Sequence, residues 1–257
     1  MSTKKVPRVI SIASIKGGVG KSTTCLILAK LIAQQHKVLL IDMDTQASIT
    51  SYYGDQLKAR KIHVPTFNTY EMLKGELLAD SAVVNVYQNI DIIPSYYSLQ
   101  DFVKYCWQSK VITFEEAQFF LKDAMQNLTK EYDYILIDNP PSSDILLTNS
   151  LFVSDYVITP VVCELWTFES LELIYAQVHD ILKLDIPIYI VVTRFKKRST
   201  YRYFYNEFIK RDNFLGVVSE RESLNKSIFS KIDFDMTCDY VGEYQTIWNN
   251  FISKTDR

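Results

Sequence analysis

The chain has 257 residues, 47% of them hydrophobic, which is enough material for one large domain with a substantial core. A net charge of −2 and a pI of about 6.0 exclude a surface that binds nucleic acid over its whole extent, so any such binding must rest on a local patch. No apolar run approaches the ~20 residues that span a bilayer, and the polar start from Met1 to Arg8 is not a signal peptide, so a cytoplasmic protein is expected. The four cysteines, Cys25, Cys106, Cys163 and Cys238, are widely spaced, and so are the three histidines, His36, His63 and His179; neither set suggests a disulfide framework or a metal cluster.

In chain order, short apolar runs rich in Val and Ile read as buried strands at Val9 to Ala13, Val38 to Ile41, Ile90 to Ile93, Tyr134 to Ile137, Tyr156 to Pro160, Ile186 to Val192 and Phe214 to Val218. Helical patterns lie between them: Thr23 to Gln35; Phe114, Ala117, Leu121, Ala124, Met125 and Leu128 on one face; Phe168, Leu171, Ile174, Tyr175, Val178, Ile181 and Leu182 on another. The region from 47 to 111 is less regular and predicts short helices. Alternating strands and helices predict an α/β fold with a doubly wound, mainly parallel sheet flanked by helices, in which ligands bind beyond the carboxyl ends of the strands. No repeat or Pro/Gly-rich linker divides the chain, so residues 1–257 are expected to form a single domain with a short polar tail at 1–7.

Three of only seven glycines fall in the loop Lys16-Gly17-Gly18-Val19-Gly20-Lys21-Ser22-Thr23, between the first strand and the first helix. Backbone must approach phosphate oxygens there without a side chain intervening, and the dipole of the following helix adds partial positive charge. Lys21 is placed to reach β- and γ-phosphates, Ser22 to give Mg²⁺ a hydroxyl ligand and Thr23 to touch the α-phosphate. A P-loop with its nucleotide is the reading, although Ile15 stands where a strict pattern has glycine. Lys16 is a second cation that cannot fill the place Lys21 already takes.

Two further strands end in acids. Leu39-Leu40-Ile41-Asp42-Met43-Asp44 carries two carboxylates two residues apart, which share a face when extended. Tyr134-Ile135-Leu136-Ile137-Asp138 is a hydrophobic strand closing on an aspartate suited to hold a Mg²⁺-bound water, followed by Asn139-Pro140-Pro141-Ser142. A basic island, Arg194, Lys196, Lys197, Arg198, Arg202, Lys210 and Arg211, is interleaved with aromatics and holds one acid, Glu207. It can neutralise phosphates of DNA with little sequence preference.

Taken together, these motifs resemble the ParA/MinD superfamily with its deviant Walker A loop, and most closely the short ParA-type plasmid-partition ATPases without an N-terminal helix-turn-helix. Ile158-Thr159-Pro160-Val161 and Thr167-Phe168-Glu169-Ser170 agree with that family. The resemblance implies a P-loop NTPase fold, ATP and Mg²⁺ as ligands, and a slow ATPase. Lys16 would cross to the nucleotide of a partner copy in an ATP-dependent homodimer, Asp44 would orient the attacking water, and Asp42 and Asp138 would support Mg²⁺ through water. It also implies nonspecific binding of double-stranded DNA at the nucleoid, with release triggered by a ParB-type centromere-binding partner. Arg221, Lys226 and Lys231 resemble positions where the family places further DNA-binding cations. The chain departs from the family at Thr45, where proline is usual, and at Val218-Ser219-Glu220-Arg221, which replaces an Ile-Pro-x-Asn segment near the base.

The alternative is a MinD-like membrane-associated ATPase. It requires a basic amphipathic C-terminal helix, and here Asp239, Glu243 and Asp256 offset Lys254 and Arg257. No membrane partner is therefore expected. The cysteine spacing does not fit an iron–sulfur scaffold of the same superfamily, and the tyrosines form no terminal cluster of the kind a tyrosine kinase of this fold would carry.

Overall fold

The computed structural model describes residues 6–108, 113–164 and 166–256. Arg257, most of the polar tail at 1–7 and the side chain of Phe114, the first apolar position expected on the middle helix, lie outside the described residues.

Eight strands form one sheet: β1 Arg8–Ile12, β2 Val38–Asp42, β3 Val84–Tyr87, β4 Ile90–Ile93, β5 Tyr134–Asp138, β6 Tyr156–Val162, β7 Ile188–Phe195 and β8 Phe214–Ser219. Their order is β3-β4-β2-β5-β1-β6-β7-β8. All pairs are parallel except β3 with β4. From β1 the chain crosses through a helix, Lys21–Ile32, towards β2, whereas from β6 it moves the opposite way to β7. Neighbouring β1 and β6 therefore send their connections apart, and a crevice opens at their carboxyl ends.

The continuous apolar runs arise because both faces of the sheet are covered. Val38 and Leu40 of β2 and Tyr134 and Leu136 of β5 join one core layer, with the Lys21–Ile32 helix and the C-terminal helix Asp239–Thr255. Leu39 and Ile41, with Ile135 and Ile137, join the opposite layer under the helices Gln100–Gln108 and Phe120–Gln126. Thr24 Oγ1 meets Tyr244 Oη at 3.1 Å and ties the first helix to the last.

The seven strands expected from the sequence are present. The eighth, β3, alternates Val-Asn-Val-Tyr with Asn85 and Tyr87 exposed; as an antiparallel edge strand it lacks the continuous apolar run that marks its neighbours. The opposite edge, β8, is only half buried, against the expectation of full burial. The first helix starts at Lys21 and stops at Ile32, inside the expected Thr23 to Gln35 limit at its far end. The middle helix is broken into Phe114–Ala117 and Phe120–Gln126, and the next, Thr167–Tyr175, continues as a π-helical segment, Ala176–Ile181. The irregular region does hold short helices, among them Ser48–Tyr52, Gly54–Ala59 and Thr69–Leu73.

The C-terminal helix buries Tyr240, Val241, Tyr244, Ile247, Trp248 and Phe251 against the sheet. At Gly216 of β8, at φ +153°, an added Cβ would stand 2.8 Å from Ile247 Cγ1 of this helix. Gly216→Ala is expected to cost about 1–3 kcal/mol by overpacking, read as a lower urea midpoint. In a double-mutant cycle with Ile247→Ala, the pair should lose less stability than the sum of the single changes; strict additivity would mean that the contact does not limit the packing.

Candidate functional site

The loop after β1 and the carboxyl ends of β2, β5, β7 and β8 enclose a cleft of ≈ 530 Å³, lined among others by Gly17, Gly18, Gly20, Lys21, Ser22, Thr23, Asp44, Pro141 and Thr193. The far wall is Val218, Leu224, Asn225 and Ile228. The loop that the sequence singled out thus opens onto the switch point of the sheet, directly before a helix whose cap is Gly20 at φ 85°. Gly18 is also left-handed, at φ +73°, a conformation that side chains resist.

Each carbonyl of this loop with a recorded partner is held by a donor. Lys21 Nζ donates to Lys16 O at 3.3 Å, Arg194 Nη1 to Gly18 O at 3.0 Å, Thr193 Oγ1 to Val19 O at 2.7 Å and Thr24 N to Gly20 O at 2.9 Å. In a trans peptide the N–H points opposite to the preceding C=O, so the N–H groups of Gly17, Val19 and Gly20 face away from these donors. N–H groups so turned could hold an anion in a nest. Lys21 is buried, and desolvation lowers its pKa against the opposing pull of Asp138 and Asp44.

Asp42 and Asp138 are register partners on adjacent strands, which brings two fully buried carboxylates together at the carboxyl ends of β2 and β5. Asp42 Oδ2 accepts from Thr50 N at 2.9 Å and Thr50 Oγ1 at 2.7 Å, and its Oδ1 accepts from Asp44 N at 3.2 Å. Burial still pushes Asp42 up to about 7, with Asp44 adding to the rise. Asp44 Oδ1 accepts from Gln46 N at 2.9 Å, and burial raises this carboxyl also. Both oxygens of Asp138 are buried without a hydrogen-bond partner. Burial, then Asp42, drives its pKa well up, while the nearby Ser22 hydroxyl tempers the rise without meeting hydrogen-bond geometry.

This donor set fits a magnesium ion bound with phosphates: a hydroxyl at Ser22, and an unsatisfied carboxylate at Asp138 that can take the protons of metal-bound water. Among the described residues no group of three or more His, Cys, Asp or Glu side chains could hold a metal by itself, so the anion would have to complete the coordination.

Lys16 does not point at the nest. Its Nζ pairs with Glu164 Oε2 at 2.5 Å, beyond the end of β6. The turn at Pro141 abuts the loop, 3.8 Å from where a Cβ on Gly17 would stand. Three residues on, Asp144 caps the helix Ile145–Phe152 by accepting from Leu146 N and Leu147 N at 2.9 and 3.3 Å.

The basic island divides. Arg194 and Arg221 turn to the cleft, where Arg221 is pinned by Asp239 at 2.8 Å and Glu243 at 3.5 Å. Lys196 pairs with Glu220 at 2.9 Å. Lys197, Arg198 and Arg202 are exposed at the start of the helix Ser199–Phe208, and Lys231 is exposed at the end of the helix Glu222–Ser230. The aromatics between these cations mostly pack inward: Phe208 is buried, and Phe195, Tyr201, Phe204 and Tyr205 lean on the same core cluster. Thr193, Leu224 and Asn225 carried no motif in the sequence and enter the site only through the sheet order. The apolar stripe that a membrane-bound C-terminal helix would need is buried, and no described helix is long and apolar enough to cross a membrane.

A family model described as an AAA domain matches residues 7–188. The structure superposes on a plasmid partition protein of Borrelia burgdorferi B31, solved bound to AMPPNP, with a TM-score of 0.91 and 45% identity, covering 97% of this chain and 100% of that one. The sporulation initiation inhibitor protein Soj of Bacillus subtilis strain 168 is 32% identical over 170 residues, 64% of this chain and 62% of its own length. The chromosome partitioning protein ParA of Myxococcus xanthus is 34% identical over 172 residues, 65% of this chain and 56% of its own. The chain thus spans less than two thirds of the length of these curated relatives.

Asp42, Asp44 and Asp138 all hold protons more tightly when folded than when unfolded. Raised carboxyls favour the folded state at low pH, so without magnesium or nucleotide the stability contributed by Asp42 should fall as pH rises from near 4 through about 7. Melting temperatures in chelator at pH 5 and pH 8 test this. Asp42→Asn should flatten the decline, and an unaltered decline would show that Asp42 titrates like an ordinary surface acid.

Proposed function

The chain belongs to the ParA-type partition ATPases, and from that premise we propose that it binds ATP with Mg²⁺ in the cleft and hydrolyses it slowly as part of a DNA-segregation cycle. The observation that carries this reading is the pair of buried, unpartnered Asp138 oxygens, with Ser22 and Lys21 close enough to act on that carboxyl. Residues 1–257 would act as one P-loop domain.

The nest N–H groups, with Lys21, hold the β- and γ-phosphates and neutralise charge that spreads over the transferred group. When bound, Mg²⁺ would offset that charge; Ser22 would be its protein ligand, with Asp42 and Asp138 holding its waters. Asp44, 6% exposed and lining the cleft, orients the attacking water. Burial raises this carboxyl, and the Gln46 N–H, then Lys21, hold the rise back. Lys16 would leave Glu164 to contact the nucleotide of a second copy, so that dimerisation completes the site and ATP is required for the dimer.

Lys197, Arg198, Arg202 and Lys231, with Lys196, are the outward cations for nonspecific duplex DNA. Two copies double the patch, and hydrolysis, stimulated by a ParB-type partner, would release it. Nucleoid association follows from this cycle. The buried C-terminal stripe weighs against the MinD-like membrane alternative.

Binding to nonspecific duplex DNA should require ATP over ADP and weaken steeply with salt. Replacing Lys197 and Arg198 with alanine should make the logarithmic salt slope shallower by about two per protomer. No DNA binding in any nucleotide state, with ATP still bound, would refute the partition reading.

Asp44→Ala should keep ATP affinity within about threefold and lower turnover by about a hundredfold or more. Turnover measured by phosphate release at the wild-type rate would remove Asp44 from water positioning.

A further inference from the structure

The strand β7 carries an irregularity at its carboxyl end. Its register with β8 runs Val192↔Val217 and then Phe195↔Ser219, so three steps on β7 match two on β8. The extra residue is a β-bulge at Thr193 and Arg194, and Arg194 takes φ 51°, a left-handed conformation rare for a side chain of this kind. In a regular strand two consecutive side chains would point to opposite faces. Here both reach the same loop: Thr193 Oγ1 donates to Val19 O and Arg194 Nη1 to Gly18 O.

We propose that Arg194 is a positioning residue of the phosphate loop, which, together with Thr193, fixes two consecutive loop carbonyls outward so that the N–H groups of Val19 and Gly20 are aimed at the β-phosphate before the nucleotide arrives. The proposal rests on the cleft taking a nucleotide. Glycines give this loop the freedom to approach phosphate, and the same freedom lets its peptides rotate. A rotated Gly18–Val19 peptide would present a carbonyl oxygen to an anion. Two donors from one bulge remove that alternative, and a backbone strained at the bulge is the kind that surrounding contacts hold at a functional site.

Arg194 acts on more than the loop. Its Nη2 lies 3.6 Å from Glu220 Oε1, and Glu220 lines the opposite wall of the cleft beyond β8. Glu220 Oε2 in turn holds Lys196 at 2.9 Å, and Glu220 N donates to Phe195 O at 3.0 Å. The guanidinium therefore braces the phosphate loop against the wall formed by Val218 to Arg221. This assigns Arg194 to the cleft and not to the DNA surface with its neighbours Lys197 and Arg198.

Calorimetric titration of ATP and of ADP, each with Mg²⁺, into the full chain tests the proposal with Arg194→Gly and Arg194→Lys. Glycine accepts φ 51° freely, so the Arg194→Gly variant should melt at or above the wild-type temperature and yet bind both nucleotides about tenfold more weakly. Arg194→Lys, which can still donate to Gly18 O, should recover most of that loss. Should the glycine variant fail to fold, Thr193→Val removes the donor to Val19 O at nearly constant volume and is expected to weaken ATP and ADP in parallel. Nucleotide affinities within twofold of wild type, with a shallower salt slope for DNA, would overturn the assignment and return Arg194 to the DNA surface. A loss confined to ATP would also overturn it, because it would mark a direct contact with the γ-phosphate. Failure of the wild-type chain to bind either nucleotide would instead defeat the reading of the cleft itself, and this inference with it.

Discussion

Carboxylates at Asp42 and Asp138 meet in register on adjacent parallel strands, with Asp44 close by, and the confinement of like charge at one strand end is the constraint on which the site depends. In a buried setting such charges repel and hold protons that water would remove. Lys21 offsets only part of this, since it is itself desolvated. Such a cluster is relieved by positive charge from outside, and the unpartnered oxygens of Asp138 are where its polar atoms remain unsatisfied. The parallel sheet enforces the arrangement: its strands end at one level, so acids from β2 and β5 and the loop from β1 cannot be spread apart without losing the ladder.

Backbone accounting explains the other half of the site. A loop that must present N–H groups to an anion cannot also use them internally, and its carbonyls have to be satisfied from elsewhere. Lys21 and Thr24 of the first helix and Thr193 and Arg194 of β7 do this, from two distant parts of the chain. Two of those donors lie more than 170 residues away in sequence, on a strand that is neighbour to β6 and not to β1. The glycines alone would make a loop that can bind phosphate; these donors make one that is already shaped for it.

Seven strands were legible because parallel strands buried on both faces are continuous apolar runs, and the places of the glycine loop, Asp42 and Asp138 at strand ends were legible because acids and glycines interrupt those runs at their carboxyl ends. The edge strand β3 was hidden by its exposed Asn85 and Tyr87, and the broken middle helix by an apolar periodicity that runs through the break between Ala117 and Phe120. The basic island was visible as composition, but its division was not. Which of these cations and of the downstream Arg221 face solvent and which face the cleft depends on one bulge in β7 and on the carboxylates of Glu220, Asp239 and Glu243, none of which leaves a mark on charge spacing.

By itself, then, the sequence determined the layered α/β plan, the phosphate loop and the acids around it, because each is written in contiguous residues whose local chemistry is sufficient: an apolar strand, a glycine turn, a carboxylate. Tertiary structure decided everything that depends on two distant segments meeting. The pairing of Lys16 with Glu164, the bracing of Gly18 and Val19 by Arg194 and Thr193, and the far wall from Val218 to Ile228 exist only once the strand order brings β1, β6, β7 and β8 side by side. Hydrogen bonds and ion pairs act over a few ångströms of space, whereas sequence patterns report only neighbours along the chain.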